Sequence, residues 1–139
     1  MAAGDIVGNI VYYQHGLLTE EKPCMIAGLD YNTPWTRDTA INIWNALSIL
    51  SPEVSKNTLL AVLEEEEGNI YIGGQYWDSI IWMIGAREYC RFHKDDNFYR
   101  LAFEAGRNSV HRLEEDEFDE EAGLFRGPAV YGDGIAAYP

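Results

Sequence analysis

Apolar residues at 40, 41, 43, 44, 46, 47, 49 and 50 cover nearly the whole circumference of Asp38 to Leu50 (DTAINIWNALSIL), which predicts a helix buried on most sides. Ser51-Pro52-Glu53 then restarts a helix: Ser suits the cap, Pro the first helical position, and Glu the positive end of the dipole. A second helix is predicted from Pro52 to Glu65, with Asn57 and the run Glu64 to Glu67 on its wet side and Gly68-Asn69 as its stop. Ile70 to Gln75 (IYIGGQ) reads as a Gly-rich loop, and Trp77 to Phe92 (WDSIIWMIGAREYCRF) as a third, apolar helix. Asp95-Asp96-Asn97 caps a fourth, Asn97 to Glu114, with Phe98, Leu101, Ala102, Ala105 and Val110 on one face. Ahead of these, Asn9 to Gln14 and Cys24 to Leu29 read as short strands or extended segments joined by the polar stretch Leu17 to Pro23, and Asn32-Thr33-Pro34 as a turn.

The pattern is two helical hairpins in tandem, the first helix of each more apolar than the second. A helix apolar all round needs neighbours all round, whereas an amphipathic one can sit at a rim, so inner and outer helix layers are expected. The fold class expected is mainly α, tandem helical hairpins after a short extended or β segment at the N-terminus. Its divisions are 1–33 (extended), 34–68 (first hairpin), 69–116 (second hairpin) and 117–139 (loop).

Composition narrows the function classes. A chain of 139 residues with 47% hydrophobic and 24% charged residues fits one globular domain. Ten Lys and Arg against 23 Asp and Glu leave a formal charge of −13, which repels phosphate backbones and anionic bilayers, so neither nucleic acid nor membrane is an expected partner. Apolar runs such as Ile80 to Ala86 are too short to span a bilayer, and Met1 to Ile6 shows no secretory pattern. Cys24 and Cys90, far apart and outside any CxxC, read as buried thiols that tilt the expected compartment toward the cytoplasm. His15, His93 and His111 lack ligand spacing and read as surface residues, and Gly73-Gly74 lacks the lysine of a phosphate loop. The acidic stretch EEDEFDEE (114–121) lacks the alternation and glycine of a calcium loop and reads as a solvated helix end. No metal and no cofactor are expected.

Three loops mix aromatics with carboxylates: Pro34-Trp35-Thr36-Arg37-Asp38, Gly74-Gln75-Tyr76-Trp77-Asp78, and Gly127 to Tyr138 (GPAVYGDGIAAY). A neutral sugar has apolar CH faces and an edge of hydroxyls, so aromatics beside carboxylates, Arg and amides suit it. The competing reading makes Trp35 and Trp77 core anchors of two helix N-termini, with Asp38 and Asp78 as first-turn acids favoured by the dipole.

PWTRDTAINIWNALSILSPEVSKNTLL resembles the RDT helix of the six-hairpin glycosidases, a superfamily including trehalases, glycogen-debranching glucosidases and glycoside hydrolase family 63. GGQYWDSIIWMIGAREY resembles their WDS segment, and GLFRGPAVYGDGIAAYP is similar to the Gly-rich loop that carries their general acid. The resemblance runs over residues 34 to 139 in the family's order. It implies an (α/α)6 toroid, of which this chain would supply a partial, N-terminal arc, since twelve average helices with their loops need roughly 190 residues. It also implies an inverting cleavage of α-glucosidic or related bonds by an acid and a base.

Carried over residue by residue, Asp133 matches the general acid. Trp35, Arg37 and Asp38 match the first sugar-binding motif, and Gln75, Tyr76, Trp77 and Asp78 fall in the second, with Arg126 and Tyr131 flanking the acid. The family's base, normally a Glu on a later hairpin, has no matching motif here, so the chain alone is expected to be inactive. The alternative is a non-catalytic carbohydrate-binding or helical interaction module. Self-association through exposed flanks of the apolar helices is a further expectation.

Overall fold

The computed structural model describes residues 2–28, 30–75 and 77–126. Helix α1 (Ala2–Gly8) leads into strand β1 (Ile10–Tyr13), paired antiparallel with β2 (Lys22–Met25) in the register Ile10↔Met25 to Tyr13↔Lys22. Helix α2 (Thr36–Asn42) passes through a five-residue π segment, Ile43–Leu47, into α3 (Ser48–Leu50), and α4 (Pro52–Ala61) follows after Ser51. Strands β3 (Leu63–Glu66) and β4 (Asn69–Ile72) form a hairpin ahead of α5 (Asp78–Phe92) and α6 (Asp96–Glu117). A small pair, β5 (Phe118–Asp119) and β6 (Leu124–Phe125), ends the described chain, its Phe118 and Phe125 rings edge-to-face at 5.1 Å.

The described residues form a small mixed domain of helices and three two-stranded antiparallel sheets, which corrects the mainly α expectation of tandem helical hairpins; a partial toroid is not shown. The correction begins where α4 stops at Ala61, four residues before the predicted end. Glu-rich LEEEE favours a helix locally. Here Leu63 instead enters the core as the first residue of β3, while Glu67 (φ 53°) and Gly68 (φ 80°) take the two positive-φ positions of a two-residue hairpin turn. The stretch read as a helix tail and a Gly-rich loop is therefore a hairpin that folds back along Leu63↔Ile72.

Two-stranded sheets are marginal alone, and each of the first two leans on a helix. Met25 N–H donates to Thr58 Oγ1 (2.9 Å) and Asn57 Nδ2 to Pro23 O (3.2 Å), tying β2 to α4. Ile72 N–H donates to Ser109 Oγ (2.8 Å) and Asn108 Nδ2 to Ile70 O (3.1 Å), so α6 side chains satisfy the outer edge of β4. Between these layers lies a core of Ile43, Leu47, Leu59, Leu63, Trp82 and Phe98. Trp82 is fully buried, and its indole N–H donates to Leu59 O at 3.3 Å.

Helices α2 and α5 run parallel: Thr36 meets Gly73, Ala40 packs on Gly85, and Ser48 O faces His93. A Cβ on Gly85 would stand 2.8 Å from Ala40 Cα, so only glycine permits that approach. Apolar all round does not mean buried all round, however. Ile41, Trp44, Ile49 and Leu50 are exposed, Trp44 by 53%, as are Ile80 and Ile84 of α5. Cys24 is buried, which pushes its thiol up to about 11, and Cys90 is half-buried. Among the described residues, no helix is long and apolar enough to cross a membrane.

Helix α6 starts on a working cap: Phe98 N–H donates to Asp95 Oδ1 at 3.0 Å, and Lys56 of α4 bonds Oδ2. The Lys56 bond first, and the Phe98 N–H second, hold the Asp95 carboxyl below its ordinary range. Asp95→Ala is expected to cost about 1 kcal/mol at neutral pH. A depressed folded-state pKa gives stability that is present above the unfolded value and lost as pH falls through the folded one. The gap between the two proteins in urea unfolding should therefore close below the ordinary aspartate range, near pH 3.9.

Candidate functional site

The parallel run of α2 and α5 sets their N-termini side by side, and with them two of the three aromatic and acidic loops. Thr36 Oγ1 donates to Gly73 O at 2.7 Å. Arg37 Nε reaches Asp78 Oδ1 at 3.4 Å. Asp78 Oδ2 accepts Gln75 N–H (2.8 Å) while Asp78 N–H donates to Gln75 O (2.8 Å), a reciprocal capping pair that opens α5. Gly74, at φ +114°, fits between them, since a Cβ there would lie 2.7 Å from Asp78 Oδ2 and 2.8 Å from Thr36 Oγ1.

Beside this junction is a cavity of about 300 Å³, walled by Tyr13, His15, Trp35, Glu64, Gln75 and the edge of Asp78. Trp35 is 38% exposed in extended backbone just ahead of α2, its ring edge-to-face with Tyr31 at 5.3 Å. A protonated His15 Nδ1 donates to Ala61 O at 3.2 Å, leaving Nε2 as the ring's remaining polar atom. The volume is at the small end of ligand pockets, about 300–1,000 Å³. Its chemistry combines aromatic faces with carboxylate, amide, imidazole and hydroxyl groups.

The structure separates the sequence candidates into groups. Trp35, Gln75 and Asp78 line the cavity, and Arg37 acts from behind through Asp78. Asp38 is half-buried in the first turn of α2, and Trp77, 42% exposed, precedes α5; neither lines the cavity. Both tryptophans are thus too exposed to be core anchors, whereas Asp78, 4% exposed, does take the first-turn role of the competing reading. Arg126 is held by Asp119 at 2.6 and 2.9 Å next to β6, away from the cavity walls. Tyr76, Tyr131 and Asp133, with the loop from Gly127 onward, lie outside the described residues.

Three cavity residues escaped the sequence reading. In the sequence Tyr13 falls in a segment that reads only as extended, His15 reads as surface, and Glu64 as part of a solvated run. The signal for Glu64 was the two-residue turn at Glu67-Gly68, which turns a helix tail into a strand and changes where Glu64 projects. Among the described residues, no group of three or more His, Cys, Asp or Glu could hold a metal ion. Compared with protein-family models, curated proteins and solved structures, the chain matches nothing.

Proposed function

We propose that this cavity binds a neutral saccharide, and that the chain serves an inverting glycoside hydrolase acting on α-glucosidic or related bonds, with Asp133 as general acid. The observation that carries the reading is the convergence of PWTRD and GGQYWDS, about 40 residues apart in sequence, through the Thr36–Gly73 and Arg37–Asp78 contacts. Two loops singled out for sugar chemistry share one cavity, and the cavity offers an exposed indole beside acceptors and donors. The net charge of −13 argues against an anionic ligand in its place.

Roles follow from the contacts. Trp35 supplies a stacking face, Gln75 and Glu64 exchange hydrogen bonds with hydroxyls, and Arg37 and Asp78 position the loops. Both carboxylate oxygens of Asp78 are engaged, which makes it a positioning residue and not an acid or base.

Titration with glucose, maltose and trehalose, followed by tryptophan fluorescence, is expected to saturate. Trp35→Ala should weaken that binding about tenfold, the upper range of an aromatic contact at ~1.5 kcal/mol. Absence of saturation with every sugar overturns the reading. In the hydrolytic protein, Asp133→Asn should abolish turnover and spare binding; near-normal turnover removes Asp133 from its role. Saturable binding with no hydrolysis by the chain itself is also what a carbohydrate-binding module would show, so the Asp133→Asn comparison distinguishes the two.

A further inference from the structure

Helix α6 turns one side away from the core, and that side is not uniformly polar: Tyr99, 58% exposed, and Phe103, 64% exposed, stand on it. Beside them a groove of about 590 Å³ runs between α5 and α6, its apolar walls formed by Met83, Ala102, Phe103, Gly106 and Val110. Gly106 keeps the floor low, with Met83 Sδ 2.8 Å from where a Cβ would stand. We propose that a second copy of this chain covers this face, the two α6 helices packing antiparallel about a two-fold axis between Val110 and His111. The groove shares no wall residue with the cavity beside Gly74, so this pairing does not depend on what that cavity binds.

Charge selects the partner. Phe103, Arg107, Val110 and Glu114 recur at spacings of four, three and four, which lines them along one stripe of α6. Arg107 and Glu114 do not meet within the chain. Among the described residues Arg107 bonds only the neighbouring Asn108 side chain, at 3.4 Å, and Glu114 has only His111 Nδ1, at 3.7 Å; both contacts are exposed. Turning a copy of α6 end for end about the midpoint between Val110 and His111 brings Arg107 level with the second copy's Glu114, and Glu114 level with its Arg107. The same rotation sets Phe103 level with the second copy's Phe118, whose exposed ring already pairs edge-to-face with Phe125.

An isologous interface needs a patch that complements itself under a two-fold rotation. A cation and an anion at equal distances on either side of an apolar centre meet that condition. A uniformly acidic partner would oppose Glu114, and a uniformly basic one Arg107. The exposed flank of α2 and α3 at Trp44, Ile49 and Leu50 is as apolar, but residues 39 to 50 carry no charge that would set a partner's direction. Two chains of −13 repel at long range, an effect that physiological salt confines to about 8 Å, whereas the Arg107–Glu114 pairs act at contact.

Sedimentation equilibrium of the whole chain in physiological salt is expected to show a monomer–dimer equilibrium in the micromolar range. The Arg107–Glu114 pair occurs twice in the interface, so Arg107→Glu or Glu114→Arg alone sets like charges together twice and should weaken the dimer about tenfold. Both positions are exposed, where substitutions leave the fold in place, and circular dichroism checks that they do. Mixing the two variants in equal amounts restores both pairs, because one chain then carries anions at 107 and 114 and the other cations, and a heterodimer should form as readily as the native dimer. Phe103→Ser, which leaves the charges alone, should also weaken the dimer about tenfold. A native chain that stays monomeric overturns the proposal. So does a dimer that neither charge swap weakens, or a pair of swapped variants that stays monomeric on mixing.

Discussion

Asp78→Ala is expected to cost about 2–3 kcal/mol of unfolding free energy and to remove saccharide binding, while Asp78→Asn costs about 1 kcal/mol and keeps weakened binding. The carboxylate is 4% exposed and uses one oxygen for Gln75 N–H and the other for Arg37. Alanine leaves the Gln75 N–H without its partner and Arg37 without its counterion. Breaking a fully buried pair costs about 3–5 kcal/mol; the Arg37 side chain is 30% exposed, which screens the charge and brings the figure down. Asparagine still accepts the Gln75 N–H through its side-chain oxygen, but its NH2 stands where Arg37 needs an acceptor, so the partly exposed Arg37 contact goes with the charge. Urea unfolding followed by tryptophan fluorescence measures the first effect, and sugar titration of the same samples the second. A loss below about 0.5 kcal/mol in Asp78→Ala, the usual range of a surface substitution, would show that the two loops are joined by something else.

The sharp difference between alanine and asparagine matters for the reading of the cavity. A catalytic carboxylate must be free to take or give a proton at the reacting atom. Asp78 is committed on both oxygens before any ligand arrives, so its work is to hold Gln75 and, through Arg37, the Trp35 loop at one distance. Glu64 is different: among the described residues, no hydrogen bond or ion pair engages its side chain, which lines the cavity.

Much of this arrangement was legible in the chain. Apolar coverage located the helix through Asp38–Leu50 and the helix from Trp77 to Phe92, and the Asp95 cap located α6, because a cap and an apolar period are local signals. What escaped was decided by tertiary contacts. The run Glu64 to Glu67 reads as helix on propensity, yet Leu63 is drawn into the core and Ser109 and Asn108 of α6 complete the edge of β4, more than 35 residues away. The π segment at Ile43–Leu47 has no signature that apolar counting can see. Full apolar coverage of α2 and α5 also overstated burial, since their flanks at Trp44, Leu50 and Ile84 face solvent. For the cavity, loop composition identified Trp35, Gln75 and Asp78, whereas Tyr13, His15 and Glu64 come from strands and a loop whose position depends on the sheets.

Gly16→Ala is expected to cost about 3 kcal/mol, far more than the same change at Gly123. Both glycines have nearly the same backbone angle, φ 60° and 65°, so the conformational penalty for a Cβ is alike at each, about 1 kcal/mol. Their surroundings differ. Gly123 has open space around it, whereas a Cβ on Gly16 would stand 2.5 Å from Leu63 O and 2.7 Å from Ala61 O and Leu60 O. The Leu60 and Ala61 carbonyls lie at the end of α4, where helical N–H partners run out, and Leu63 O at the start of β3. The loop after β1 satisfies two of them: Leu17 N–H donates to Leu60 O at 3.1 Å and His15 Nδ1 to Ala61 O at 3.2 Å. A methyl group at Gly16 cannot be relieved by turning a flexible side chain, because all three atoms it meets are backbone. The loop must lift, and both caps lengthen with it. His15 and Tyr13 form one wall of the cavity beside Gly74, so the same variant should weaken the proposed sugar binding without touching Trp35 or Asp78. Urea unfolding of the two alanine variants side by side isolates the packing effect from backbone strain, and equal losses at the two sites would show that the close fit of Gly16 against the end of α4 contributes nothing.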